Sequence, residues 1–201
     1  MADSGQQAPR HDRFPVRLIL VFLALTVFYR LVSAHFDFLG NTAPLMALAF
    51  GGALLLGARC WWVCPALLLV SDLFLGLAKP GFGIGAYTVV SACVYTLVSF
   101  AGVRLEGLRR HWIVLWAGTL VASLFFYGVA NTFSWTLSPE YAKTLAGWWQ
   151  SQTTGLPHYS PPAWAFLRNA LIADTIWCLL AGLLFYVRPS LHDGAPSRAG
   201  A

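Results

Sequence analysis

Six apolar stretches, divided by mostly short connections, dominate this chain of 201 residues. A helix needs about 20 apolar residues to cross a bilayer, and inside the hydrocarbon every backbone N–H and C=O must find its partner within the protein. Stretches at residues 16–34, 42–58, 61–78, 84–103, 112–135 and 163–187 qualify, the second being the shortest and rich in Ala and Gly. Charged residues make up 10% of the chain against about 25% in a soluble domain, which excludes a soluble globular fold. The expected fold class is all-α: a polytopic membrane protein, a bundle of six transmembrane helices forming one membrane domain at residues 15–188. Polar tails flank it at 1–14 and 189–201, the latter expected to be disordered. The first apolar run is too long for a cleavable signal peptide.

Arginine placement predicts the orientation. Arg10, Arg13, Arg17, Arg59, Arg104, Arg109, Arg110, Arg188 and Arg198 all fall on one side of a six-span chain, while the opposite connections hold Lys79 and Lys143. The positive-inside rule then puts both termini in the cytoplasm and the chain in the inner or plasma membrane. The net charge of +5 reflects this topology, and no nucleic-acid partner is expected. Tryptophans mark two boundaries, Trp61, Trp62, Trp112 and Trp116 on the inner side, Trp135, Trp148, Trp149 and Trp164 on the outer. The one long connection, residues 136–162, predicts an interfacial helix with Ser138 as N-cap, Pro139 at its first position and Glu140 in its first turn, continuing through Tyr141, Leu145, Trp148 and Gln152. Such a helix serves as an interfacial anchor or as a lid over a cavity.

Four charged residues interrupt the apolar stretches: Arg30, Asp72, Arg168 and Asp174. Each costs about 2.5 to 3.5 kcal/mol at a helix centre on insertion scales, so a paired or functional interior is expected. In the predicted topology, Arg30, Asp72, Asn131, Arg168 and Asn169 lie in the outer half of the membrane, with Asp174 nearer the middle. These six residues predict a polar, outward-open cavity between the first, third, fifth and sixth spans. Arg168, or else Arg30, is the candidate for ligand contact through its planar guanidinium, with Arg168 first, and Asp72 is the candidate to orient the arginine. A purely structural network is the alternative, with Asp72 neutralising one arginine and Asp174 the other.

Weaker signals are read more simply. Ala49, Ala53 and Gly57, with Ala47 and Gly51, form small-residue stripes that suit internal packing or a docking groove. Cys60 and Cys64 lack further ligands for a metal, and Cys93 and Cys178 are expected in the core. His35 and His158 are expected at the outer surface, either lining the cavity mouth or simply solvated. Gly81, Gly83 and Gly85 follow no strand and read as a turn, not a nucleotide loop. No cofactor and no metal are expected. An aspartyl enzyme using Asp72 and Asp174 is disfavoured, because two nearby arginines would hold both carboxylates ionised. A short echo between Ser71-Asp72-Leu73 and Ala173-Asp174-Thr175 hints at an inverted repeat.

Four segments carry a resemblance. Residues 41–53 read N-T-A-P-L-M-A-L-A-F-G-G-A, 70–76 read V-S-D-L-F-L-G, 122–135 read A-S-L-F-F-Y-G-V-A-N-T-F-S-W, and 166–174 read F-L-R-N-A-L-I-A-D. In this order the chain resembles an uncharacterised family of bacterial integral membrane proteins, a domain of unknown function. That family is similar in size and layout to the substrate-binding S components of energy-coupling factor transporters. The resemblance implies a small polar or anionic solute bound at the outer side, with ATPase and coupling subunits as partners. One departure stands out: the A-x-x-x-A docking motif of the first S-component helix is missing, since Ala24 is followed by Phe28. The function expected is therefore a non-enzymatic, S-component-like solute-binding or transport protein. The alternative is a structural or assembly protein whose charges only fix helix packing.

Overall fold

The computed structural model describes residues 16–33, 36, 39, 42–78, 83–158 and 161–186, and among them all regular structure is helical. The two polar tails, His35, Asn41, Lys79, Gly81, Arg188 and Arg198 lie outside the described residues. The helices are α1 (Val16–Ser33), a π-helical segment (Ala47–Gly52) running straight into α2 (Ala53–Leu56), α3 (Val63–Ala78), α4 (Ala86–Arg104), α5 (Trp112–Leu137), α6 (Leu145–Gln152) and α7 (Ala163–Tyr186). Four helical stretches are long and apolar enough to cross a membrane: Ala58–Ala78, Ala86–Arg104, Trp112–Leu137 and Ala163–Leu183. Two shorter apolar helices, Leu23–Ser33 and Ala47–Leu56, accompany them.

Polarity runs opposite to that of a soluble protein. Leu69, Leu73 and Leu77 of α3, Val121 and Phe125 of α5, and Ile172, Ile176 and Leu183 of α7 are exposed, whereas Ser71, Asp72, Thr88, Ser99, Thr119, Ser123 and Asp174 are buried. Apolar surfaces that suit lipid and hydrogen-bonding groups that face one another are what a bilayer solvent selects.

The second apolar stretch does not form one regular span. It is helical only over residues 45–56, with Pro44 leading in and a wide π turn through Gly51 and Gly52. It stops at Gly57, whose φ of +76° lies in the left-handed region. This short helix is the centre of the molecule: Leu54 is fully buried, and Ala49 and Ala53 are 1% exposed. Close approach explains its small residues. Gly51 faces Leu115, Gly118 of α5 lies against the Phe50 ring, and Gly102 of α4 sits on the Phe50 carbonyl. The stripe of Ala49, Ala53 and Gly57 is thus used in internal packing, not as a surface groove.

One end of the bundle is basic. Arg59, Arg104, Arg109 and Arg110 are exposed there, and the Gly57 turn meets the Glu106 carboxylate of the α4–α5 connection. Trp61 stacks on Phe100 with centroids 5.1 Å apart. Trp116, placed by sequence at the boundary, instead turns inward and donates to Thr175 Oγ1 at 3.1 Å.

At the other end the α5–α7 connection differs from expectation. Ser138 caps the C-terminus of α5 instead of starting a helix, and Pro139 and Glu140 form a turn. The helix begins six residues later than expected, at Leu145, with Thr144 accepting the Gly147 N–H at 3.2 Å. Two forces shift it. Helix α5 continues past Trp135, and the Lys143 ammonium then donates to its last carbonyls, those of Trp135, Thr136 and Ser138. Helix α6 is fastened along α5: Trp148 Nε1 donates to Thr132 Oγ1 at 2.9 Å, and Tyr127 Oη donates to the Gln152 carbonyl at 2.6 Å. Leu145 and Trp149 stay exposed. His158 pairs with Glu140 at 3.0 Å on the exposed side of this connection. Cys93, expected in the core, faces outward from α4, whereas Cys178 is buried.

The α4 contact gives a direct test. A Cβ at Gly102 would lie 2.5 Å from the Phe50 carbonyl oxygen and 3.1 Å from Ala53 Cβ, with backbone that cannot rotate away. Gly102→Ala should therefore cost about 1–3 kcal/mol, seen as an earlier thermal unfolding midpoint in detergent. Gly128→Ala, where nothing lies within 4 Å, should leave the midpoint unchanged or raise it.

Candidate functional site

Helices α1, α3, α4, α5 and α7 and the segment before the π turn enclose a cavity of about 540 Å³. Its polar lining comes from all five helices: Arg30 and Ser33 of α1, Asp72 of α3, Tyr87, Thr88, Ser91 and Tyr95 of α4, Ser123, Tyr127, Asn131 and Ser134 of α5, and Asp174 of α7. Phe126, Phe166, Met46 and several leucines complete it. A second space of about 430 Å³ shares Tyr87, Asn131, Ser134 and Phe166 with the first and reaches Tyr141, Gly155 and Leu156. The cavity therefore leads toward the α5–α7 connection.

One wall is an ion-paired lattice. Arg30 Nη2 lies 2.7 Å from Asp72 Oδ1. Its Nη1 donates to Ser71 Oγ and, at 3.4 Å, to the Leu68 carbonyl. The second carboxylate oxygen, Asp72 Oδ2, accepts from Thr88 Oγ1 at 2.6 Å, and the Gly85 N–H at the start of α4 donates to that same hydroxyl at 3.3 Å. One carboxylate thereby joins α1, α3 and α4. Charge-assisted bonds of this kind strengthen where water is scarce, and both groups are satisfied by more than one partner.

The opposite wall is built around Asp174. Ser123 donates its hydroxyl to Asp174 Oδ2, and the Ala47 backbone amide lies near this carboxylate. That amide belongs to the first turn of the central helix, so Asp174 of α7 sits at the end of the helix whose dipole favours a carboxylate. Asp174 is 2% exposed and makes no salt bridge among the described residues.

Of the six residues singled out in the sequence, Arg30, Asp72, Asn131 and Asp174 line the cavity. Arg168 and Asn169 do not. Arg168 is exposed, with its guanidinium carbon 5.3 Å from the Trp164 ring centroid and its Nη2 donating to Asn169 Oδ1 at 3.1 Å. Asn169 is buried beside it. The pairing of Asp72 with Arg168 is thus replaced by Asp72 with Arg30. Helical geometry accounts for this, since positions 168 and 174 lie about 600° apart around α7, on different faces. The two carboxylates have separate partners, and no hydrogen bond joins them among the described residues. His158 lies outside both sets of lining residues. Among the described residues no group of three His, Cys, Asp or Glu side chains could hold a metal, and Cys60 and Cys64 are free thiols.

The hydroxyl residues of α4 and α5 went unread in the sequence, although a signal was present. Tyr87, Ser91 and Tyr95 recur every fourth residue, as do Ser123, Tyr127 and Asn131. That spacing places each trio on one helix face. Tyr95 stacks on Phe126 across the two helices, centroids 5.1 Å apart and planes 8° from parallel.

Removing one partner of the ion pair has a predictable cost. Asp72→Asn leaves the Arg30 guanidinium without its counter-charge and should destabilise by about 3 kcal/mol. The double change Arg30→Met with Asp72→Leu removes both charges and should recover most of that loss, read from unfolding midpoints of the two purified variants and wild type.

Comparison with known proteins adds one finding. No curated protein and no solved structure matches the chain. A family model described as a family of unknown function, DUF6580, matches residues 10–192, and the chain belongs to that family.

Proposed function

We propose that this protein is a membrane-embedded binding or transport protein for a small polar solute, and that its site is the cavity between α1, α3, α4, α5 and α7. One observation carries the reading: a space of about 540 Å³ inside an apolar bundle, lined on all sides by groups that can fix a ligand's orientation. Solute sites are typically concave spaces of about 300–1,000 Å³ with apolar walls and a few convergent polar groups. In the arrangement proposed, six helical segments serve the membrane, both termini are cytoplasmic under the positive-inside rule, and the cavity opens outward beneath α6. The resemblance to S components suits this layout. Energy would then come from an ATPase and a coupling subunit, because the chain has no phosphate-binding loop.

A second reading rests on the Arg30–Asp72–Thr88 lattice, which ties three helices together and would do so in a protein that binds nothing. The two readings separate when the cavity is filled and its polar groups are kept. Ala170 of α7 lines the space and points a single methyl at it. Native mass spectrometry of the protein purified from its own host should show a retained small molecule. Ala170→Trp should lose it while remaining folded, and Arg168→Ala should keep it. A folded Ala170→Trp variant that retains the molecule as wild type does would rule out this cavity as the site. Wild type empty under mild detergent would favour the structural reading.

A further inference from the structure

We infer that the solute is an organic cation, a protonated amine or amidine on an apolar or aromatic body, with Asp174 as its counter-ion. This deepens the binding reading above and rests on it. The cavity lining holds one basic side chain, Arg30, and two acidic ones, Asp72 and Asp174. Arg30 is engaged on its own wall: Nη2 with Asp72 at 2.7 Å, Nη1 with Ser71 and the Leu68 carbonyl. The pair neutralises itself, which removes the reason to expect an anion. Asp174 is different. The Ser123 hydroxyl that donates to it and the nearby Ala47 amide are neutral, and no arginine or lysine forms a salt bridge with it among the described residues. A carboxylate buried in a low-dielectric interior is costly until a cation joins it.

The remaining walls fit the same charge. Tyr87, Tyr95, Phe126, Tyr127 and Phe166 line the space, and Tyr95 and Phe126 present a stacked aromatic wall. Aromatic faces carry negative potential and attract ammonium and amidinium groups. Ser91 and Asn131 add acceptors for the N–H groups of such a ligand. An anion would meet the Asp174 carboxylate and the ring faces with no free arginine to offset them.

Three probes of similar size isolate the charge: benzylammonium, benzyl alcohol and benzoate. Each is measured by equilibrium dialysis against the protein in nanodiscs, with Ala170→Trp as the blocked-cavity background. Benzylammonium should bind wild type at least about tenfold more tightly than the other two, the equivalent of about 1.4 kcal/mol. Asp174→Glu should keep the preference and Asp174→Asn should lose it. The selectivity of wild type alone decides the matter should the asparagine variant not fold. Tighter binding of benzoate or benzyl alcohol overturns the cation assignment and leaves the binding site standing. A co-purified host molecule without a basic nitrogen does the same. No probe bound above the blocked variant, together with no co-purified molecule, overturns both this inference and the proposed function.

Discussion

A guanidinium 2.7 Å from a carboxylate, with a threonine hydroxyl behind it, decides how the first helix joins this bundle. Helix α1 presents Leu25, Phe28 and Val32 outward and packs chiefly on α3. Lipid tails satisfy apolar side chains as well as another helix does, so apolar contact alone gives α1 little reason to sit where it does. Arg30 supplies that reason. Away from Asp72 its charge would have to reach water or the interface, at a cost larger than that of any single contact along the helix. Thr42 and Trp177 reinforce the placement, the first accepting from Tyr29 Oη at 2.8 Å and the second meeting the Tyr29 ring edge-on at 5.9 Å.

The same constraint shapes the centre. A helix of about three turns is too short to span hydrocarbon, so the ends of segment 45–56 must be satisfied by the protein around them. Asp174 lies beside the Ala47 amide at one end. At the other, the Gly57 N–H donates to the Ala53 carbonyl at 2.9 Å, and the chain turns beside Glu106. Non-spanning backbone of this kind is tolerated at membrane depth where it is buried in protein or borders a cavity, and here it does both. The cavity, the short helix and the buried carboxylate are thus parts of one arrangement, because Asp174 faces the helix terminus and the open space together.

Much of this was legible in the chain. Spans expected at 16–34, 61–78, 84–103, 112–135 and 163–187 match helices α1, α3, α4, α5 and α7 within a few residues, because an uninterrupted apolar run has no other way to satisfy its backbone in lipid. The cost of burying charge pointed to interior positions for Arg30, Asp72 and Asp174, which line the cavity, and equally for Arg168, which is exposed. The quoted segments served well too: V-S-D-L holds Asp72, S-L-F-F-Y-G-V-A-N holds Ser123, Tyr127 and Asn131, and the final aspartate of F-L-R-N-A-L-I-A-D is Asp174. The α6 register was misread because a Ser-Pro-Glu start signal is local, whereas the anchoring of Lys143, Trp148 and Gln152 onto α5 is not.

By itself, the sequence determined that long apolar helices build the bundle, where five of them begin and end to within a few residues, which end is basic, and that charged residues interrupt the apolar runs. These follow from composition and from nearest-neighbour backbone chemistry, which act along the chain. Tertiary structure decided which arginine serves which aspartate. Depth along a span is readable from a sequence, but azimuth around the helix axis is not until its neighbours are placed. Arg30 and Arg168 occupy similar predicted depths, yet one turns into the bundle toward Asp72 and the other lies over Trp164 at its surface. Packing around Gly51, Gly102 and Gly118 seats α4 and α5 on the central short helix, since only glycine permits such close approach of backbones and rings. With Arg30 paired to Asp72 and Arg168 turned away, Asp174 is the cavity carboxylate without a salt bridge among the described residues.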